Sequence, residues 1–304
     1  MRGGGAACLL FAVAATGCKK PPPAPEGLDE SARYVLREFY SSDDIVGAGL
    51  TGFMNWFDEE GYELVGESAD SDNVGSFTLG DLSWDDVGHL PLVDDGRSPD
   101  DAAGVVSVAF MGCDWTQIEA LYVREDQMAV FEGDYEAYNR TYTSSRVAFE
   151  DARRSMEIAP VEETAEVFTK GLGDLASAFL LTDNTVTQST AGITITADMM
   201  LHLRHGIFEV QGEDTEASIV FAFTPERAEG DNGANSLEQS YSVVINIDRG
   251  DGETLRVFAL WTELDTILVG SDSALVLSAA VNKSQEAADR LSAICAGEIA
   301  LPAE

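Results

Sequence analysis

The chain reads ITITADMMLHLR over residues 193–204. Apolar side chains at the odd positions alternate with mostly polar ones at the even positions, and a period of two is typical of a β-strand. Segments 218–223, 241–248 and 255–262 continue the pattern, and Arg249-Gly250-Asp251-Gly252 between the last two is typical of a hairpin turn. The sequence therefore predicts an antiparallel, meandering sheet.

Some of these strands are apolar on both faces, as in Val243-Val244-Ile245. Both faces of the sheet centre must then be covered. The predicted covers are a helix over 161–181, which follows Pro160, and a helix over 283–296, which stops at Gly297. The predicted fold class is α+β, an antiparallel meandering sheet packed by helices.

The first half of the folded chain predicts a mixture of helices and strands. Asp29 is the expected N-cap of the first helix. The predicted helices are 29–40, 43–57 and 114–122, and the predicted strands are 62–65, 76–79, 104–111, 128–132 and 138–149. Both halves place a helix before strands, which permits two similar α+β subdomains, an N-terminal region 28–160 and a C-terminal region 161–304. No residue-level repeat supports a duplication.

The first residues have the order of an export signal: Arg2, an apolar run over 6–15, and small residues after it. The run is shorter than the roughly 20 apolar residues that span a bilayer. A proline-rich stretch over 19–27 follows, and such sequence predicts an extended spacer between an anchor and a domain.

Where the apolar run ends, Ala15-Thr16-Gly17-Cys18 resembles the lipobox of bacterial lipoproteins, with Ala15 where that family usually has Leu. The resemblance implies a signal peptide over 1–17, a lipid on the Cys18 thiol, and an anchor and tether over 18–27. It implies export to the cell envelope and attachment to a membrane, and Lys19 in place of Asp favours the outer membrane. The alternative is an ordinary cleaved signal followed by a disordered tail.

Composition limits the class of partner. The 304 residues include 54 Asp and Glu against 18 Lys and Arg, for a net charge of -36. Nucleic-acid binding is excluded, because it requires a basic patch. A solvated acidic surface, divalent cations or a basic partner all remain open. A hydrophobic content of 45% is enough for a buried core.

Of the four cysteines, Cys8 lies in the signal and Cys18 is the lipid site, which leaves Cys113 and Cys295. An oxidising compartment predicts a disulfide between them. A buried free thiol is the alternative, since Cys295 shares a helical face with Ala288 and Leu291.

Two motifs indicate ligands only in part. Asp70, Asp72 and Asp81 have calcium-loop spacing, but Val74 stands where an oxygen ligand is needed and Asp81 where a Glu is usual, so a solvated loop competes with a calcium site. Gly47-Ala48-Gly49-Leu50-Thr51-Gly52 has the spacing of a dinucleotide loop without the preceding strand. On a helix such glycines predict close packing instead.

Catalytic signatures are scarce. His202 and His205 fall on opposite sides of a strand, which disfavours zinc, and the chain has no GxSxG, P-loop or SxxK motif. No cofactor other than calcium is indicated. The sequence favours a non-enzymatic domain that binds a small apolar ligand or an envelope protein, or that supports the envelope structurally. A hydrolase with a carboxylate pair is the alternative; an apolar cavity would favour the first, and two carboxylates in a cleft, one with a raised pKa, the second.

Overall fold

A computed structural model of the chain describes residues 22–66, 74–155, 177–190, 193–231, 233, 235–265 and 274–303. The helices are α1 Gly27–Glu38, α2 Asp43–Trp56, α3 Tyr62–Val65, α4 Trp84–Val87, α5 Trp115–Val123, α6 Gln127–Val130, α7 Arg146–Ser155 and α8 Ala274–Cys295. The strands are β1 Gly75–Leu79, β2 Ala103–Met111, β3 Ala137–Tyr142, β4 Ala178–Thr190, β5 Ile193–Val210, β6 Glu213–Phe223, β7 Ala228–Glu229, β8 Ser236–Gly250 and β9 Glu253–Asp265. Among these residues no helix combines the length and the hydropathy needed to cross a membrane.

All nine strands form one antiparallel sheet in the order β1-β2-β9-β8-β6-β5-β4-β3, with the short β7 on β8. The predicted fold class is thereby confirmed. The predicted hairpin joins β8 to β9, with Asp251 and Gly252 at positive φ in its turn. Strands β1 to β3, which precede residue 160, occupy the two edges of the sheet, and the later strands fill its middle.

The sheet has two covered faces. The outer face packs under α1 and α2, and the inner face packs under α5, α7 and α8. In β5 the predicted alternation holds, because Leu203 belongs to the inner core while Arg204 lies on the outer face against Phe179 and Phe208. Of the predicted covers, the C-terminal helix is confirmed, whereas α1 and α2 cover the other face. Of the helix predicted over 161–181, residues 161–176 lie outside the described residues.

The glycine-rich motif lies inside α2, as the packing interpretation predicts. A Cβ at Gly47 would come within 2.7 Å of the Glu209 carbonyl oxygen on β5, and one at Gly49 within 2.7 Å of the Val35 side chain on α1. Side chains at these positions would push α2 off the sheet and off α1. The glycines therefore serve helix packing and not a nucleotide.

Arg204 joins the α1–α2 turn to the sheet. It is fully buried and donates to the carbonyls of Phe39 and Ser41 at 2.6 and 2.8 Å, to the Asp43 carboxylate at 2.6 Å and to the Ser177 hydroxyl at 3.1 Å. Carbonyls near a helix C-terminus lack intrahelical partners, and this guanidinium supplies them. Burial lowers the pKa of Arg204 to about 10, and the Asp43 charge opposes that shift.

A disulfide joins Cys113, just after β2, to Cys295 at the end of α8, with 5.6 Å between the Cα atoms. Ala288 and Leu291 on the same helix are buried, so Cys295 lies on the predicted face and is also bonded. Helix α8 then stops as predicted, because Gly297 adopts φ +75° and the chain turns away. The disulfide thus fixes the C-terminal end of α8 to the inner face.

Five local predictions are wrong. Residues 62–65 form α3 because the helix of α2 continues through a π-helical turn at 57–61, where Gly61 leaves room for the Trp56 and Phe57 rings. Residues 127–130 form α6, tied down by the Gln127 amide, which donates to the carbonyls of Leu121 and Arg124.

Three further differences concern where strands and helices begin or end. The predicted strand 138–149 ends at Tyr142, and a helix follows, because the Ser145 hydroxyl accepts from the Ala148 amide and begins α7. Residues 178–181 open β4 although a helix was predicted there; Phe179 and Leu180 are buried on opposite faces, and a doubly buried strand has no alternation to reveal it. Helix α1 begins at Gly27, with Glu26 and not Asp29 at the N-cap.

Candidate functional site

A row of polar side chains crosses the middle of the inner face. Strand register places Arg256 on β9 opposite Asn246 on β8, Asn246 near Ser218 on β6, and Ser218 opposite His205 on β5. All four residues are at most 3% exposed. The adjoining row on one side is apolar and includes Phe258, Val244 and Leu203, whereas the row on the other side includes Thr254, Asp248 and Glu216. The polar row is therefore buried at the border between an apolar and a polar part of the inner face.

Arg256 makes little use of its hydrogen-bonding capacity. Its Nη1 donates to the Ser284 hydroxyl of α8 at 3.3 Å, its guanidinium lies 5.5 Å from the centre of the Phe258 ring, and its buried Nε has no hydrogen-bond partner in the described part of the chain. Buried charges in proteins are normally paired with an opposite charge. Among the described residues Arg256 forms no ion pair.

The neighbours of Arg256 are also incompletely satisfied. Asn246 donates its amide to the Ser218 hydroxyl at 3.2 Å, while its buried Oδ1 has no donor within the described residues. Ser284 and Ser107 hydrogen bond to each other at 2.7 Å. The cationic donor Arg256 Nε and the neutral acceptor Asn246 Oδ1 thus lie side by side without partners among the described residues.

At the other end of the row His205 lies beside the Glu119 carboxylate. His205 Nδ1 lies 3.2 Å from the Glu119 Oε2 of α5, with both side chains buried, and the Phe149 ring lies 4.8 Å from the imidazole. His202 points to the outer face, where it hydrogen bonds to Tyr40, and burial lowers its pKa to about 3. The two histidines are therefore on opposite faces, as predicted, and share no metal.

Beside the polar row the inner face is only partly covered. Phe258 and Leu260 on β9 and Ser242 on β8 are half-buried, and so are Leu277 and Val281 on the N-terminal half of α8. Buried Leu291 and the disulfide lie at the opposite end of the helix. Phe258 and Leu260 thus form a partly exposed apolar strip, the apolar approach, next to the row that contains Arg256.

A separate groove of about 310 Å³ lies at the β3–β4–β5 edge. It is lined by Asn139, Thr141, Asp183, Asn184, Thr185, Asp198, Met199, Met200 and Pro225. Burial and the Asp198 charge raise the pKa of Asp183, but both carboxylates are exposed. Two carboxylates in a groove, one with a raised pKa, are the arrangement named above as favouring a hydrolase. A general acid also needs a carboxyl kept out of water, and these two carboxylates are exposed.

The predicted ligand residues fall largely elsewhere. Cys18, Asp70 and Asp72 lie outside the described residues, and Asp81 is exposed in the loop after β1. Within the described ranges no three His, Cys, Asp or Glu side chains group as metal ligands. Sequence reasoning missed Arg256 and Asn246, although an arginine inside the apolar strand Leu255-Arg256-Val257 was a visible signal.

Comparisons with known proteins yield only a weak similarity of fold. No protein-family model matches the chain, and no curated protein matches its sequence. Solved structures with overlapping folds include a START superfamily protein from Mycobacterium smegmatis (TM-score 0.37, 9% identity, 64% of this chain and 99% of that one). They also include a STAR-related lipid transfer protein from Xanthomonas axonopodis (0.40, 8%, 75% and 96%) and a human lipid transfer and protein localization domain (0.39, 7%, 79% and 95%). At these scores the function must be argued from the residues of this chain.

Proposed function

We propose that this domain binds a small ligand with an apolar body, held between the inner face of the sheet and α8, and performs no chemistry on it. One observation carries the proposal. Among the described residues the buried Arg256 Nε and Asn246 Oδ1 have no hydrogen-bond partner, and they lie beside the half-buried apolar side chains of Phe258 and Leu260.

The energetics support a binding role for these residues. An unsatisfied buried polar group costs about 1–3 kcal/mol, and native proteins therefore satisfy nearly all of them. Local violations of this kind concentrate at functional sites, where a ligand supplies the missing partner. A ligand that occupied the approach would also remove Phe258 and Leu260 from water.

A neutral fluorescent probe tests the proposal. N-phenyl-1-naphthylamine, added to the full chain, is expected to bind saturably with a blue-shifted emission. Leu260→Asp places a charge in the approach and should weaken probe binding by about tenfold or more, since burying an unpaired carboxylate costs well over 1.4 kcal/mol.

Leu64 offers the matched control, because it is exposed on α3 and the substitution Leu64→Asp makes the same chemical change. Circular dichroism should show that both variants remain folded. Non-saturable binding to the parent chain, or equal losses in Leu260→Asp and Leu64→Asp, would refute the proposed site.

We further propose that the domain is exported and held at the bacterial outer membrane by a lipid on Cys18. The lipobox-like residues and the proline-rich spacer support this proposal, and two or three acyl chains would make the attachment stable. The parent chain should partition into the detergent phase of a Triton X-114 extract, and Cys18→Ser should move it to the aqueous phase. Equal partitioning of the two would exclude the lipid anchor.

A further inference from the structure

We infer that the ligand carries an anionic head group and that Arg256 binds it. This inference rests on the proposed function and adds the chemical class of the ligand. In the bound state the head group lies at the polar row of the inner face, beside Arg256 and Asn246, and the apolar body lies along Phe258 and Leu260 towards solvent.

The first step is that no carboxylate in the described part of the chain forms an ion pair with Arg256. Three carboxylates on or facing the inner face lie against other groups: Glu119 Oε2 is 3.2 Å from His205 Nδ1, Glu216 accepts from the Trp115 indole at 3.0 Å, and Asp248 accepts from the Gly250 amide at 3.0 Å. Glu119 and His205 are three strands from Arg256, roughly 14 Å at the usual strand spacing. A buried guanidinium in this position lacks the charge that ordinarily compensates its desolvation.

The second step is that Arg256 Nε and Asn246 Oδ1 are close enough to bind one polar head group together. Arg256 and Asn246 are directly opposed across β8 and β9, so their side chains leave the sheet side by side on the same face. Arg256 Nε offers a charged donor, and Asn246 Oδ1 offers an acceptor. An anionic oxygen with a neighbouring donor, such as an added hydroxyl or a protonated phosphate oxygen, would satisfy both.

The third step is the direction of entry. The disulfide holds the C-terminal end of α8 against β2, beyond the polar row, whereas Phe258, Leu260 and Val281 are half-buried on the other side of that row. A ligand therefore enters past the apolar residues and meets Arg256 last. An amphiphile with one anionic end and one apolar tail fits this order.

Three probes with one tail distinguish the head group. Titration calorimetry of the full chain with dodecanol, dodecanoate and dodecyl phosphate should show both anions binding more tightly than the alcohol by about 10- to 100-fold, the factor expected for a hydrogen bond to a charged group. Whichever anion binds more tightly identifies the head as carboxylate or phosphate, and both results support the inference.

Arg256→Met keeps the approximate length of the side chain and removes the charge. This variant should lose the preference for the anions while it still binds dodecanol and N-phenyl-1-naphthylamine. Arg249→Met, on the exposed β8–β9 hairpin, changes the net charge equally and should retain the preference.

The outcomes separate the two proposals. If the naphthylamine probe and dodecanol bind but neither anion binds more tightly, the head-group inference is wrong and the binding function stands. An unchanged preference in Arg256→Met also overturns the inference. If no probe binds the parent chain, the proposed function itself has failed.

Discussion

Two buried arginines on opposite faces of one sheet are used in different ways. Arg204 on the outer face donates to two carbonyls, a hydroxyl and a carboxylate, and so ties α1 and α2 to β5. Arg256 on the inner face, buried to 3% exposure, makes one hydrogen bond within the described residues, to the Ser284 hydroxyl. Burial alone therefore does not distinguish a structural arginine from one available to a ligand; the number and charge of its partners does.

The same contrast extends to the two layers around the arginines. The outer face is sealed by aromatic packing, for example Phe39 against Phe221 with ring centres 5.2 Å apart, and its glycines bring α2 onto the sheet. The inner face has a polar row through its centre and an apolar approach beside it. We therefore assign stability to the outer layer and ligand binding to the inner one.

Replacing each arginine by methionine should give the largest difference. Arg204→Met leaves two buried carbonyls and Asp43 without their donor, and we expect a loss of about 3–5 kcal/mol in the free energy of unfolding. Arg256→Met removes a buried charge that lacks a counter-charge, so stability should change by less than about 1 kcal/mol or increase. Urea unfolding followed by tryptophan fluorescence measures both, and equal losses would contradict the assignment.

Breaking the disulfide should have the next largest effect, concentrated on the inner layer. The double variant Cys113→Ser, Cys295→Ser should lose about 2–4 kcal/mol of unfolding free energy. Hydrogen exchange should accelerate more in α8 than in α1 or α2. Each single variant breaks the same bond and should match the double one; additive losses would argue against the bond.

Gly47→Ala tests the close packing of the outer layer. The added methyl group meets the Glu209 carbonyl oxygen at 2.7 Å, a backbone atom that cannot move alone, and overpacking of this kind costs about 1–3 kcal/mol. Thermal unfolding measures the loss. Gly80→Ala is the control, since the nearest atom there is the mobile Asp29 carboxylate at 3.1 Å, and the hypothesis is rejected if the control is the more destabilised variant.

A pH dependence should arise from the outer face. Burial holds the pKa of His202 at about 3, below its ordinary 6.5, so between these values only the unfolded chain takes up the proton. The stability associated with neutral His202 is complete above pH 6.5 and falls as the pH drops towards 3, by at most about 1.4 kcal/mol per pH unit. His202→Asn keeps an acceptor for Tyr40 and should flatten the slope between pH 6.5 and 4.5; an unchanged slope would refute this origin.

Sequence patterns predicted the features that depend on residues close to one another in the chain. The alternation over 193–204 placed His202 and Arg204 on one face and Leu203 on the other. The cysteine count also paired Cys113 with Cys295, by elimination rather than by a local pattern. The start of β4 was missed because it is buried on both faces, which is decided by tertiary contacts, and α6 was missed because a single side chain, the Gln127 amide, holds it through nearby carbonyls.

The candidate site could not be predicted for a related reason. Arg256 and Asn246 meet only through the register of β8 and β9, and the absence of a described partner for Arg256 Nε and Asn246 Oδ1 becomes visible only when α5 and α8 are in place. The carboxylates that might have paired with Arg256 are abundant in the sequence. Their engagement elsewhere, as for Glu119 with His205, is a property of the fold.

The most direct measurement follows both arginines in one sample. Side-chain Nε–H resonances of Arg204 and Arg256, assigned with the two methionine variants, can be recorded during titration with dodecanoate. The account predicts a saturable downfield shift of Arg256 Nε–H and an unchanged Arg204 signal. A shift of Arg204 alone, or no response of Arg256 when dodecanoate binds, would contradict it.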